Sequence, residues 1–254
     1  MPRSSLSLIV TVVFFLAACG GSGPGEPLVI SGAGVETADA VEAYRQELGG
    51  VNNGGAPGDF RTGYREVNWD SLPDELSAPN DYIPDFFNGR EEPRARGMLL
   101  FSDGILRISA DSDNPTGTLP RFGDINPAYA DSFKAFSEER LFSPVGSNIV
   151  DVTFFVPGTD TPAATRGFGA IYTDVDTEHT AFEYYDQDGN LLGSFGVPLS
   201  NNDVSFLGVA FPEAIVFRVR ITYGTVALGP ADSPENDVAV MDNFIFGEPQ
   251  AVAP

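Results

Sequence analysis

The sequence is poor in sulfur, histidine and lysine: its 254 residues contain one cysteine (Cys19), one histidine (His179) and one lysine (Lys134). A single cysteine cannot form an internal disulfide, and cysteine-based zinc sites are excluded. No G-x-S-x-G segment is present, so a serine triad has no support. Phosphate-cradling loops are also absent. We therefore expect a protein that is not an enzyme, although a glycosidase needs only two carboxylates and is not excluded by this test.

Basic residues are also scarce, since 14 lysines and arginines stand against 36 acidic residues and give a net charge of −22. Nucleic acid is excluded as a partner, because phosphate binding requires a basic surface. Such an acidic surface fits a saline habitat or the binding of divalent cations. A hydrophobic content of 42% is enough for a folded core.

The first residues combine Arg3, an apolar run over residues 6–15 and the sequence LAAC at residues 16–19. This arrangement is typical of a secretory signal, and the apolar run is too short to span a membrane. Its end resembles a bacterial lipobox. We therefore interpret residues 1–18 as a lipoprotein signal peptide and Cys19 as the lipid-bearing first residue of the mature chain.

The segment after Cys19 is rich in glycine, and residues 19–34 are predicted to be a flexible tether. Gly20 rather than aspartate follows the cysteine, which in a Gram-negative cell favours the outer membrane. The expected location is the cell envelope, with the chain held by lipid at the outer membrane or cell surface.

One helical pattern covers residues 36–48, within a predicted N-terminal extension of helix and loops over residues 35–95. Residues 96–249 then form the predicted sandwich domain, and residues 250–254 a tail. Strands are predicted at residues 98–101, 105–110, 149–156, 167–173, 180–185, 191–197, 204–211, 215–223 and 238–246. Many strands without intervening helices indicate a mainly β fold, an antiparallel β-sandwich of the jelly-roll kind, with a barrel as the alternative.

Two turn sequences, Asp103-Gly104 and Asp188-Gly189-Asn190, are typical of β-hairpins. Alternation in the strand at 215–223 directs Arg218 and Arg220 outward, where they are expected to pair with carboxylates.

The last strand contains an acid in an apolar row. Asp242 is two residues from Val240 and Phe244 and four from Phe246, so these residues are expected to share one face of the strand. A buried carboxylate must be ion-paired, hydrogen-bonded or bound to metal. The segment Met241-Asp242-Asn243-Phe244 resembles the end of many bacterial carbohydrate-binding jelly rolls, in which the acid holds a structural calcium. That resemblance implies calcium as a candidate cofactor.

Calcium requires about six to eight oxygen ligands. The candidate ligands beyond Asp242 and Asn243 are Asn68 with Asp70, or Asp174 with Asp176, and the sequence does not choose between these pairs. A carboxylate hydrogen-bonded to backbone or arginine is the alternative to metal.

Two aromatic residues are candidates for ligand binding, since sugar rings stack on aromatic side chains. Tyr185 alternates with Phe182 and Tyr184 and is expected to face outward, and Trp69 lies in a loop-rich region. The alternative for Trp69 is that it closes the open end of the sandwich.

From about Val41 to Pro249 the chain resembles an uncharacterised family of bacterial secreted proteins. The matching segments are REVNWD at 65–70, RFGDINP at 121–127, FVPGT at 155–159, GFGA at 167–170, SFLGV at 205–209 and MDNFIFGEP at 241–249. The later part is also similar to globular domains of exported proteins that end in a short sorting helix, which this sequence lacks. The resemblance implies export and the sandwich fold, and it transfers no catalytic residue.

The leading functional hypothesis is a surface lipoprotein with a non-catalytic binding module, its partner being extracellular glycan. A structural or assembly component of the envelope that binds protein is the first alternative. A polysaccharide hydrolase is the second.

Overall fold

The computed structural model describes residues 25–230, 233 and 236–252. The predicted signal peptide and Cys19 lie outside the described residues, as do residues 20–24 of the predicted tether. Among the described residues, no helix is both long and apolar enough to cross a bilayer.

The described part of the chain contains two α-helices and fourteen strands. The helices are α1 (Thr37–Glu47) and α2 (Tyr129–Ser132). The strands are β1 (Leu28–Ala33), β2 (Tyr64–Val67), β3 (Met98–Phe101), β4 (Ile105–Ile108), β5 (Phe142–Val145), β6 (Ile149–Phe155), β7 (Pro162–Ala164), β8 (Gly167–Val175), β9 (Ala181–Tyr185), β10 (Leu191–Gly196), β11 (Ser200–Ala210), β12 (Arg218–Thr222), β13 (Val240–Gly247) and β14 (Gln250–Ala251).

The strands form two antiparallel sheets. Sheet I has the order β1-β11-β8-β13-β5-β4, with β2 also paired to β13. Sheet II has the order β10-β9-β12-β6-β7-β14, with β3 also paired to β6. The main hydrophobic core lies between the sheets and includes Val152, Phe168, Phe182, Val219 and Phe244. The predicted mainly β sandwich with a short helix near its start is confirmed.

Sheet I is covered on both faces, and its central strands show this in their burial. Every residue of β8 and of β13 is buried. Helix α1 packs on the outer side through Val41 and Tyr44, which contact a second apolar cluster that includes Ile171 and Ile245. A third cluster around Phe133 covers the other end of that side.

Sheet II is covered on one face only. In β6, β9 and β12 buried residues alternate with half-exposed or exposed ones, the pattern of a sheet with one solvated side. We call the solvated side of β10, β9, β12, β6 and β3 the open face.

The predicted helix at 36–48 is confirmed as α1. The tether prediction is wrong for residues 28–34, because residues 28–33 form β1 at the edge of sheet I. β1 pairs with β11 over its whole length, from Leu28 opposite Ala210 to Ala33 opposite Ser205. Backbone pairing of this extent outweighs the flexibility that the preceding glycines suggest.

The predicted domain boundaries also change. β2, within the predicted N-terminal extension, pairs with β13 in the middle of sheet I. The predicted tail contributes β14, which pairs with β7. The sandwich therefore uses residues on both sides of the predicted 96–249 domain.

The two predicted hairpins have different outcomes. The turn at 188–190 joins β9 to β10, which pair as predicted. The prediction of a hairpin at Asp103-Gly104 is wrong, because β3 pairs with β6 in sheet II whereas β4 pairs with β5 in sheet I. This turn passes from one sheet to the other.

Candidate functional site

A β-bulge decides where Asp242 points. Met241 lies opposite Tyr172 and Phe244 lies opposite Ala170, so β13 has one residue more than β8 between these pairs. An extra residue reverses the alternation of faces. Met241 and Phe244 therefore both face the main core. The prediction that Asp242 shares a face with Phe244 and Phe246 is wrong, whereas its burial is confirmed at 0% exposure.

Asp242 is held by hydrogen bonds from the segment that precedes β5. The backbone N–H groups of Phe136 and Ser137 donate to its Oδ2 over 2.6 and 3.2 Å. The Ser137 hydroxyl lies 2.9 Å from its Oδ1. Burial raises the pKa of Asp242 from 3.8 to about 7, because the loss of water outweighs these hydrogen bonds and the Asp70 charge adds to the rise.

Four predicted calcium ligands meet at one serine that sequence reasoning missed. Ser137 Oγ lies 3.1 Å from Asp70 Oδ2 and 3.0 Å from Asn243 Oδ1, besides its contact with Asp242. Asn68 Nδ2 donates to the same oxygen over 3.2 Å. We call these five residues the Ser137 cluster.

The remaining oxygens of the cluster already have partners. Asp70 Oδ1 accepts the backbone N–H groups of Glu139 and Arg140 over 3.2 and 2.9 Å. The side-chain amide of Asn243 donates to Glu66, which forms an ion pair with Arg45. These contacts favour the hydrogen-bonded alternative for Asp242, and calcium stays a prediction.

On the hydrogen-bonded alternative, removing calcium is expected to leave the thermal midpoint of the full chain unchanged, because backbone N–H groups occupy one oxygen of each carboxylate. The measurement is a melting curve in excess EGTA against one in excess CaCl₂, with MgCl₂ as the control. A midpoint that is several degrees lower in EGTA, and is restored by calcium alone, would show instead that bound calcium stabilises the fold.

The other predicted ligand pair lies at the end of β8 and has different partners. Asp174 is buried and accepts the backbone N–H of Asn202. Burial raises the pKa of Asp176 above its ordinary value, and the nearby Asp237 charge contributes. Within residues 25–230, 233 and 236–252, no group of three or more histidine, cysteine, aspartate or glutamate side chains is placed to hold a metal ion.

Trp69 lies in the core rather than on a ligand-facing surface. Its side chain is 0% exposed, and its indole N–H donates to the backbone oxygen of Asp242 over 2.8 Å. Its ring stacks on Phe142 with 4.8 Å between centroids. A ring enclosed in this way presents no face to a ligand, which agrees with the alternative that Trp69 fills the sandwich.

Tyr185 lies on the open face, as the alternation predicts. The Arg218 guanidinium carbon lies 3.8 Å from the centroid of its ring, a cation–π contact. Arg218 also donates to Asp151 Oδ1 over 2.8 Å. Arg220 binds both oxygens of Asp151, over 3.0 and 2.8 Å. The expected pairing of both arginines with a carboxylate is confirmed.

The electrostatics of Asp151 follow from these contacts. Burial alone would raise its pKa, but hydrogen bonds from Arg220 and Arg218 outweigh burial and hold the pKa below the ordinary value. Asp151 is therefore an anion at neutral pH and fixes both guanidinium groups in place. In the sequence, Asp151 could have been recognised as a residue of this face because it lies among the alternating apolar residues of β6.

No protein-family model and no curated protein matches this chain. Among solved structures it is similar to the enzymatically active domain of tailspike protein 4 from bacteriophage CBA120, with 14% identity and a TM-score of 0.30. The match covers 69% of this chain and 22% of that chain. A likeness this distant says nothing about function.

Proposed function

We propose that this protein is a surface-anchored lipoprotein whose sandwich is a non-catalytic binding module for an extracellular glycan. The observation that carries the proposal is the open face, where a half-exposed tyrosine lies beside a fixed set of charged side chains. Anchoring rests on the lipobox residues and Cys19.

The open face offers the groups that a sugar needs. A pyranose ring has an apolar face suited to an aromatic ring, and its hydroxyls both donate and accept hydrogen bonds. Tyr185 supplies the ring, one face of which is covered by Arg218, while Arg218 and Arg220 supply donors and Asp151 an acceptor. Because the ion pairs fix these groups before binding, little side-chain entropy is lost when a ligand arrives.

The Tyr185→Ala variant tests this proposal. It is expected to weaken glycan binding about tenfold or more, because it removes the aromatic surface. Tyr185→Phe keeps the ring and is expected to bind nearly as well as the wild type. The measurement is a glycan-array screen of the full chain carrying Cys19→Ser, followed by calorimetric titration with the best ligand.

Leu119→Ala is the matched control, since Leu119 is 48% exposed and lies in a loop away from the open face. Melting curves establish that each variant is folded. Equal affinities for Tyr185→Ala and the wild type, or no binding to any glycan, would contradict the proposal.

A protein partner is the second candidate, because the corner around the β3–β4 turn is apolar. Phe101 and Ile105 are 64% and 49% exposed there, and Ile83 and Ile149 are 42% and 37% exposed. Phe101 and Ile105 line a groove of about 340 Å³. Exposed apolar surface of this kind is found at protein interfaces.

A hydrolase finds less support. Asp70 and Asp242 each contact the same hydroxyl, over 3.1 and 2.9 Å, so their nearest oxygens lie within about 6 Å of each other. This spacing is compatible with a retaining glycosidase. Asp242 is nevertheless fully buried, so a substrate oxygen cannot reach its proton without the 136–137 segment moving.

A further inference from the structure

The register of sheet II places side chains in straight rows across the open face. Residues directly opposite one another share a face, and residues two apart along a strand form the neighbouring row. One row is Ser194, Glu183, Arg220, Asp151 and Phe101, taken from β10, β9, β12, β6 and β3. The open face is therefore continuous over five strands.

The neighbouring row runs in the same direction. It consists of Leu191, Tyr185, Arg218, Thr153 and Leu99, in the same strand order. The two rows together place an aromatic ring on β9 and another on β3, with polar side chains on the two strands between.

Resting on the proposed function, we infer that the open face binds a linear, uncharged polysaccharide that lies across the strands and contacts both Tyr185 and Phe101. Three inter-strand steps of about 4.8 Å separate β9 from β3, and the two residues lie in neighbouring rows about 7 Å apart along the strands, so the span is about 16 Å. A single sugar ring cannot bridge this span. A chain of about three rings can, with its end rings on the two aromatic side chains.

The polar side chains between the aromatic residues would face the central rings. Arg220 and Asp151 form a two-point ion pair in the middle of the span, over 3.0 and 2.8 Å. Such a planar pair presents a donor and an acceptor side by side, which matches adjacent hydroxyls on one ring.

The charge of the face indicates an uncharged ligand. The two rows carry two arginines, Arg218 and Arg220, and two acids, Asp151 and Glu183, so their charges cancel. The chain as a whole carries −22, and its field repels an anionic glycan such as a uronan. A cationic partner would be attracted to the acidic surface elsewhere rather than to this balanced face.

The exposure of Phe101 supports its role as one end of the site. Its side chain is 64% exposed, while its neighbour Leu100 is 2% exposed in the core. Phe101 therefore contributes little to the core, and its removal is expected to leave the fold intact. That separates a binding effect from a folding effect.

The test measures affinity against chain length for the full chain carrying Cys19→Ser. The probes are linear oligosaccharides of two to six rings, comprising uncharged glucans, xylans and mannans and charged uronans. For an uncharged series the affinity is expected to rise about tenfold or more between two rings and four, and then to level off.

Phe101→Ala is expected to reduce the affinity for the longest probe about tenfold and to leave the affinity for the two-ring probe unchanged. Leu119→Ala, remote from the face, is expected to change neither. The variant therefore removes the gain from chain length while the wild-type fold is kept.

The outcomes separate the two proposals. If glycans bind but the affinity does not depend on length, or Phe101→Ala has no effect, or uronans are preferred, the inference is overturned and the proposed function stands. If no probe binds, both are overturned, and capture of a protein at the β3–β4 corner becomes the better explanation.

Discussion

Glu248→Ala is expected to lower the free energy of unfolding by about 3–5 kcal/mol, the usual cost of leaving one member of a buried ion pair without its partner. Arg65 and Glu248 have side-chain exposures of 0% and 1%. The Arg65 guanidinium donates to both Glu248 oxygens over 2.8 Å. The variant would leave the guanidinium charge buried and unpaired.

The loss extends beyond one pair, because both residues hold loops. Arg65 also donates to the backbone oxygens of Ala56 and Ala95. Glu248 accepts the side-chain amide of Asn53 and the backbone N–H of Phe60. The pair thus joins two irregular segments, the loop before β2 and the loop before β3, to β2 and to the end of β13, and its loss should loosen both.

Urea unfolding followed by tryptophan fluorescence measures the effect, since Trp69 is the single tryptophan and is fully buried. Glu213→Ala, at an exposed position, is the control and should change stability by less than about 0.5 kcal/mol. The double variant Arg65→Met with Glu248→Leu should recover part of the loss. A loss below about 1 kcal/mol in the single variant would show that water reaches the guanidinium.

The second large effect is a dependence of stability on pH that originates at Asp242. Its pKa is about 7 in the folded protein, against 3.8 for an ordinary aspartate. Between these values the folded protein retains a proton that the unfolded chain releases. The contribution of Asp242 to stability is therefore expected to fall by about 1.4 kcal/mol per pH unit as pH rises from about 4 to 7, and to become constant above pH 7.

The Asp242→Asn variant isolates this contribution. An amide at this position can accept the two backbone N–H groups through its oxygen and donate to Ser137 through its nitrogen. We expect the variant to fold, to lack the Asp242 part of the pH dependence, and to match or exceed the wild type in stability at pH 8. The measurement is the difference in unfolding free energy between the two proteins from pH 4 to pH 8.

Asp188→Asn, in the exposed turn between β9 and β10, is the control for removal of one carboxylate. Asp242→Leu should be much less stable than Asp242→Asn, because it leaves buried N–H groups without an acceptor. A variant Asp242→Asn that loses several kcal/mol at pH 5 would mean that the carboxylate is charged in the fold, as calcium requires.

Alternation along single strands predicted the parts of the site that depend on local pattern. It placed Tyr185, Arg218 and Arg220 on a solvated face, and the structure agrees. It also predicted that Asp242 is buried. These properties follow from which residues of one strand must avoid water.

Pairing between distant strands determined what the sequence could not predict. The bulge at Asp242 arises from the register of β13 against β8, so no local pattern reveals it. Ser137 meets Asp70 and Asp242 only because the segment before β5 folds over sheet I. β5 was missed because Pro144 interrupts its pattern, although it pairs with β4.

On the proposed lipidation of Cys19, the early start of β1 limits how far the sandwich can stand from the membrane. Eight residues lie between Cys19 and Leu28, where β1 begins, and the nine residue-to-residue steps of a fully extended chain reach about 30 Å. A sandwich held at Cys19 would therefore remain next to the bilayer and could not extend outward to distant polymers. On the proposed function, a captured polysaccharide would lie no farther from the membrane than the tether and the sandwich together can reach.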